Sequence, residues 1–374
     1  MKKYRVWAEV NLQALTQNLK QVREKVNQEI KILVVVKADA YGHGAVPIAK
    51  TALEYGADML GVGDSTEAIE LRQAGILAPI IVLGSIIEEE IGWIISYEIT
   101  PTIHSLDLLS RLNEEARRQE KRLKIHLKVD TGLSRLGASP KRAIEIAKKI
   151  ITFPHLELEG ICSHHSCSFN PDEADFTAKQ TALFSEVVNE VENKTGLKIP
   201  LKHIASSGAI YTHPDNLFNL VRPGGVLYGI DPGQLRKIGS IKFNPVLTLK
   251  SQVTFLKTVP TGTPVGYGRT YITSKRTKIA TIPVGYNDGY PYHLSNKGYV
   301  LIQGKKAPVI GTVTMDYIMA DVTQIQGVQP GDEVVLIGRQ GDEIITTEEL
   351  GVLIGASPYV ITCGLGKRVR RVYV

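Results

Sequence analysis

The segment KILVVVKADAYGHG, Lys31 to Gly44, joins an unbroken apolar run to a lysine and then to a short stretch of small residues carrying Asp39, Tyr41 and His43. A continuous β-branched run of this length is the pattern of a strand covered on both faces, as in a parallel sheet packed between layers. Lys37 would then stand at the C-terminal mouth of that strand. Similar runs follow at MLGV (Met59 to Val62), PIIVL (Pro79 to Leu83), TPTI (Thr100 to Ile103), LKIHLKV (Leu123 to Val129), LELEGI (Leu156 to Ile161) and LKHI (Leu201 to Ile204). Helical stretches separate them. The eighth run is read as VLYGI (Val226 to Ile230), with FNLVR just before it as the alternative. Eight strands with intervening helices predict an α/β fold, a (β/α)8 TIM barrel. An open doubly wound sheet is the competing architecture, because the fourth and eighth runs are weak.

After Pro232 the pattern changes. PVLTLKSQVTFLKTV, TKIATIPV, GYVLIQGKKAPVIG, DYIMADVTQI and DEVVLIG are strand-rich, and only TTEELGVLIG (Thr346 to Gly355) reads as a helix. The expected organisation is a barrel over residues 1–235 and a second, mostly β domain over 236–374. YRVWAEVNL (Tyr4 to Leu12) alternates in part like a strand, and residues 1–10 could pair with the second domain, since chain ends often lie close together.

The 374 residues carry 44 Lys and Arg against 38 Asp and Glu, a net charge of +6 spread along the chain. Only small basic clusters occur, RRQEKR (Arg117 to Arg122) and KRVRR (Lys367 to Arg371), so no nucleic-acid partner is expected. Three cysteines, Cys162, Cys167 and Cys363, make neither a disulfide framework nor a metal motif. No signal peptide or long apolar span is present, so the expectation is a cytoplasmic protein with no membrane partner.

The placement of reactive side chains points to chemistry. Lys37 follows strand one, Asp130 and Arg135 strand five, His164 strand six, and Ser206 and Ser207 strand seven, while Arg222 lies near strand eight. All fall at the C-terminal face of a barrel, where active sites are built. An ammonium beside Val34, Val35 and Val36 loses water, which lowers its basicity and suits covalent bonding to a carbonyl; the bland alternative is a lysine that reaches out to solvent. SSGAI (Ser206 to Ile210) offers hydroxyls at a helix start and RPGG (Arg222 to Gly225) offers amides, which together suit a phosphate. Alternatively, Ser206 caps a helix and the glycines only turn the chain. A carbonyl-binding lysine beside a phosphate site suggests pyridoxal 5'-phosphate.

With these motifs in order, the chain resembles the alanine racemase family of barrel-fold pyridoxal phosphate enzymes over almost its whole length. The resemblance implies that Lys37 binds the cofactor covalently and that Tyr41 contacts its phosphate, with Asp39, Gly42, His43 and Gly44 shaping the loop. In KVDTGLSRLG, Arg135 would orient Tyr267 and the substrate carboxylate, and Lys128 matches a lysine often modified by carbon dioxide. His164 would lie near the cofactor ring; Ser207, Gly224, Gly225 and Tyr359 would hold phosphate; Arg222 would face the pyridine nitrogen. In the second domain Tyr267 matches the second catalytic base, Tyr286 the approach to the site, Met315 a backbone contact to substrate carboxylate, and Asp316 its neighbouring acid. Without the resemblance these aromatics would pass as β-domain core.

The implied activity is interconversion of L- and D-alanine by two-base proton transfer at Cα, supplying D-alanine for peptidoglycan. It would occur in a homodimer with shared active sites and no metal. His164 and Arg135 are the residues expected to lend Tyr267 positive potential. Three departures bear on the substrate: Ser206 where asparagine is usual, Tyr292 where arginine is common, and His165, Ser166 and Cys167 after His164. A serine or broad-specificity racemase, an amino-acid decarboxylase and a pyridoxal phosphate carrier are the alternatives.

Overall fold

The structure is a computed structural model that describes residues 4–231, 235 and 242–374. Parallel strands β2 (Lys31–Val35), β3 (Met59–Val62), β4 (Ile80–Val82), β5 (Thr100–Ile103), β6 (Leu123–Lys128), β7 (Leu156–Cys162), β8 (Leu201–His203) and β9 (Leu220–Val221) pair in the order β8-β7-β6-β5-β4-β3-β2-β9. A parallel bridge between Ser206 and Arg222, just beyond β8 and β9, joins the two ends. The barrel is the α/β fold expected. Its eighth strand lies in FNLVR, however, whereas VLYGI forms a 3-10 turn over Gly225–Tyr228. That apolar run is buried against the barrel core instead of joining the sheet, and a short buried run does not reveal by itself which it will do.

Strand alternation sorts the interior. Ile32, Val34, Leu60, Val62, Ile80 and Val82 belong to the layer shared with the helices. Leu33, Val35, Met59, Ile81, Leu201 and Leu220 form a separate apolar cluster that fills one side of the barrel. On β6 the alternation runs the other way in chemistry: Leu123, Ile125 and Leu127 join the outer layer, so Lys124, His126 and Lys128 take the opposite face. One side of the barrel is therefore polar.

The first strand, β1 (Val6–Val10), pairs antiparallel with β10 (Leu247–Gln252) and parallel with Arg370–Tyr373, inside the sheet of the second domain. Three further strands, Phe255–Val259, Thr277–Ile282 and Ile318–Asp321, form a small sheet beside it. Thr346 caps the expected helix, Thr347–Ile354, through a reciprocal hydrogen-bond pair with Glu349. A second short helix, Pro358–Cys363, went unread in the sequence and brings Tyr359 to the barrel. The expected junction between residues 235 and 236 lies at the margin of the described residues, since 236 is outside them. Among those described, no helix is long and apolar enough to cross a membrane.

Candidate active site

After β2 the chain makes a left-handed turn. Ala38, Asp39, Ala40 and Tyr41 all have φ between 51° and 55°, a conformation that costs roughly 1–2 kcal/mol per L-residue. Such strain persists only where neighbouring contacts over-determine it. Here Asp39 Oδ1 accepts the Ala45 N–H at 2.7 Å, and His43 Nδ1 donates to the carbonyls of Ala40 and Tyr41, each at 3.0 Å. Burial holds His43 at a pKa of about 4, so the ring is neutral. A Cβ on Gly42 would lie 2.0 Å from the Thr362 carbonyl, and Arg371 Nε donates to Gly42 O at 3.0 Å. The second domain thus clamps the turn, and Arg371, read in the sequence only as part of a basic cluster, is one of the clamps.

The turn sends Tyr41 against Tyr228 and Tyr359, with ring centroids 4.8 and 5.3 Å away. Burial raises the pKa of the Tyr41 and Tyr359 hydroxyls, so both stay protonated donors. Added Cβ atoms would meet them: one on Gly224 at 2.7 Å from Tyr41 Oη, one on Gly225 at 2.1 Å from Tyr359 Oη. Ser207 Oγ accepts the Gly224 N–H at 2.9 Å, joining the two loops at the closure of the barrel. Ser206 holds the N-cap position of the helix Ser207–Thr212, but its side chain makes no cap bond. Two hydroxyl donors over a pair of glycines make a cradle for an anion, which is what a phosphate group requires.

Lys37 is half-buried at the same mouth. Burial lowers its pKa, the Arg135 charge lowers it further, and Glu67 opposes them. More of the amine is therefore neutral, and nucleophilic, than in an ordinary lysine.

Arg222, 5% exposed, anchors the opposite wall. Its Nη1 donates to His203 Nδ1 at 2.7 Å, and its Nη2 to Ser163 O, Ile204 O and His164 Nδ1 at 2.8, 3.1 and 3.0 Å. His203 Nε2 meets His126 Nδ1 at 2.8 Å, and His126 Nε2 faces Glu159 at 3.4 Å. Donation from Arg222 fixes the tautomers: His203 and then His126 carry their protons on Nε2. The polar side of the barrel is thus one chain from Arg222 to Glu159. A Cβ on Gly160 would lie 2.5 Å from the His126 ring, so glycine leaves the room that this chain needs. Among the described residues the Arg222 Nε has no hydrogen-bond partner.

One expectation is corrected here. Burial, with Arg222 next in effect, puts the pKa of His164 well below the ordinary imidazole value, so His164 is neutral and cannot lend Tyr267 positive potential. Of the two expected candidates, Arg135 keeps the charge that such a role would need. Lys128, 8% exposed, donates from Nζ to Leu83 O at 2.6 Å; burial lowers its pKa, and the charges of Arg222, Arg135 and Lys37 add to that.

Unlike Tyr359, the second-domain residues Tyr267, Tyr286, Met315 and Asp316 stand apart from this constellation. Tyr267 lies in a 3-10 turn, Tyr267–Arg269, between Pro264–Val265 and Tyr271–Ile272; its carbonyl accepts from Thr312 Oγ1 at 2.9 Å, and its side chain is 76% exposed. Met315 is 53% exposed, and Tyr286 and Tyr292 are exposed as well. None of them is β-domain core. Asp316 binds Arg368 Nη1 at 2.7 Å, and Arg368 also holds the buried Asp288. Asp288 was not singled out and Arg368 was read only as part of a basic cluster, because ion pairs between distant segments leave no local pattern. The His165 ring bonds to Thr181 Oγ1 on the helix Ala174–Thr195 at 2.9 Å and the Ser166 hydroxyl donates to Gly132 O at 3.3 Å, so two of the departures after His164 are taken up by local contacts.

A nucleophilic amine, protonated hydroxyl donors and a fixed cation around one barrel mouth suit a phosphorylated pyridine aldehyde. They place the fold among the pyridoxal phosphate barrels joined to a β domain. The family model for the N-terminal domain of alanine racemase matches residues 10–232, and that for the C-terminal domain matches residues 246–373. The alanine racemase of Methanococcus maripaludis is 43% identical over 99% of this chain and 98% of its own. The structure of alanine racemase from Bacillus anthracis with bound L-Ala-P has a TM-score of 0.94 and 33% identity, covering 100% of this chain and 96% of its own. That of alanine racemase from Bartonella henselae with covalently bound pyridoxal phosphate has a TM-score of 0.88 and 29% identity, covering 99% of each chain. The chain belongs to the alanine racemase family.

Proposed function

We propose that the protein interconverts L- and D-alanine with pyridoxal phosphate by proton transfer between two bases. The observation that carries this reading is the meeting of Lys37, the Tyr41 and Tyr359 hydroxyls and Arg222 at one barrel mouth. Lys37 is the residue proposed to bind the cofactor. Tyr41, Tyr359, Ser207, Gly224 and Gly225 are proposed to hold its phosphate, with His164 beside its ring and the Arg222 Nε facing its nitrogen. When bound, the cofactor supplies an electron sink for negative charge at the amino-acid Cα. A guanidinium at the ring nitrogen disfavours protonation there, because two like charges would meet in a poorly solvated site. The weaker electron withdrawal that follows disfavours diversion of the carbanion into transamination, and an arginine in place of the acid expected there in a decarboxylase weighs against that alternative. The second domain, matched in its own right, weighs against a single-domain carrier.

Inversion needs a proton removed on one face of Cα and delivered on the other. Lys37 Nζ serves one face and Tyr267 Oη the other, with Arg135 and the Met315 backbone orienting the substrate carboxylate. Asp316 supports Met315 through its bond to Arg368, and Tyr286 lines the approach. The outward exposure of Tyr267 and Met315 supports a homodimer in which each chain completes its neighbour's site. The three cysteines are free, as suits a reducing compartment, and the cytoplasm is the location proposed.

The test is turnover of each alanine enantiomer, with serine and several larger amino acids run beside it. Interconversion of alanine at the highest kcat/KM is expected. Release of carbon dioxide, cofactor binding without turnover, or preference for serine would each overturn the corresponding part of the proposal.

A carbamate on Lys128 is part of the same reading. The neutral amine adds carbon dioxide and loses a proton, which turns a cation facing Arg135 into an anion able to accept its hydrogen bond. Protein held under 13C-labelled carbon dioxide should show one carbamate carbon signal that Lys128→Ala removes. A spectrum without it in active enzyme would refute the modification.

A further inference from the structure

Glu67 belongs to no motif singled out in the sequence, yet it reaches the longest run of left-handed non-glycine backbone among the described residues. It sits in the first turn of the helix Ser65–Gln73, where Asp64 caps by accepting the Glu67 N–H at 3.0 Å. An acidic residue at this position usually folds back to bind the N–H of the cap residue. Glu67 does otherwise. Its Oε2 accepts the N–H of Gly63 at 2.7 Å, and its Oε1 crosses to the next barrel loop to accept the N–H of Ala38 at 2.5 Å. Ala38 opens the left-handed turn, and its N–H precedes the bonds that the turn makes internally, from Ala40 to Val36 and from Gly44 to Asp39. Without Glu67 that donor would have no partner in the turn. One carboxylate thus ties the exit of β2 to the exit of β3, at the point where the chain leaves Lys37 and bends toward Tyr41.

We propose that Glu67 is a positioning residue for the cofactor lysine: it holds the left-handed turn that sets the Lys37 amine relative to the Tyr41 hydroxyl, and it places a negative charge beside that amine. This rests on the proposed role of Lys37 in binding pyridoxal phosphate. The turn is the covalent link between the group that would take the aldehyde and a group that would take the phosphate. Geometry lost there uncouples the two ends of the cofactor. The charged and titratable groups acting on Lys37 are Arg135, Arg222, Lys128, Cys363 and Glu67, so Glu67 is the carboxylate among them.

The test compares wild type, Glu67→Gln and Glu67→Asp for binding of pyridoxal phosphate and of pyridoxal, which lacks the phosphate. The pH dependence of the bound cofactor's absorbance is read on each. Glutamine keeps the shape but offers a donor to one of the two N–H groups; aspartate keeps the charge but is too short to span both. Pyridoxal phosphate affinity should fall about tenfold in Glu67→Gln, the loss expected when one hydrogen bond to a charged group is broken. Pyridoxal affinity should fall less, so the advantage conferred by the phosphate narrows. The absorbance midpoint should move to lower pH in Glu67→Gln, because a negative charge that favours the protonated nitrogen has gone, and should stay near wild type in Glu67→Asp. An unchanged phosphate advantage and an unchanged midpoint in Glu67→Gln would overturn the proposal. Should that variant fail to fold, an undiminished phosphate advantage in Glu67→Asp overturns the geometric part. Borohydride reduction of wild type that labels a lysine other than Lys37 would instead overturn the cofactor assignment beneath it.

Discussion

Tyr267→Phe should lower racemisation in both directions by roughly a thousandfold, within the range that a positioned acid or base contributes. The substitution keeps the ring and removes only the oxygen proposed to move the proton. Because Tyr267 is 76% exposed and its recorded contacts lie within its own domain, folding and cofactor binding should be unaffected. One base remains on the Lys37 face. Exchange of the Cα hydrogen with solvent deuterium should therefore survive for one enantiomer, expected to be D-alanine, while inversion is lost. Near-normal inversion would remove Tyr267 from the chemistry.

Lys37→Ala should be the more damaging change, with a loss of at least ~10⁴-fold, since it removes both the covalent anchor and a base. In wild type, borohydride followed by peptide mapping should find the cofactor on Lys37; in the variant no lysine should take its place. The cradle at Tyr41, Tyr359 and Ser207 stays intact, so pyridoxal phosphate should still bind, more weakly and without a covalent bond. Mixing inactive Lys37→Ala with Tyr267→Phe adds a test of architecture. If each site takes Lys37 from one chain and Tyr267 from the other, a mixed dimer holds one site with both bases, and activity should return. Verified mixed dimers without activity would show that the sites are not shared, leaving the base assignments untouched.

Much of this site was legible because its local chemistry is unusual. A lysine ending an apolar strand, followed by ADAYGHG, is costly unless the charge is used, and RPGG after a strand offers amides to an anion. What the sequence could not convey was the handedness of the turn at Ala38 to Tyr41. Those residues have no intrinsic preference for positive φ; contacts from Glu67, Ala45, Thr362 and Arg371 hold them there, and three of the four lie more than 25 positions away. The protonation state of His164 was hidden for a related reason, because it depends on burial in the closed barrel and then on Arg222, 58 positions later.

By itself the sequence determined the strand and helix alternation, the change of pattern after Pro232, and the residues at the ends of the strands, since each depends on periodicity and neighbours close in the chain. Tertiary structure decided what those patterns face. LKIHLK alternates like a strand with one wet side, yet closure of the barrel turns His126 and Lys128 inward, where they meet His203, Glu159 and Cys162, while Lys124 stays exposed and pairs with Glu159. FNLVR prevailed over VLYGI as the eighth strand because Leu220 and Val221 pair with Lys31 and Ile32, whereas Val226 to Tyr228 pack as a turn beneath the site. Periodicity specifies which side chains share a face. Only closure of the sheet decides whether that face meets water, a core or a cofactor.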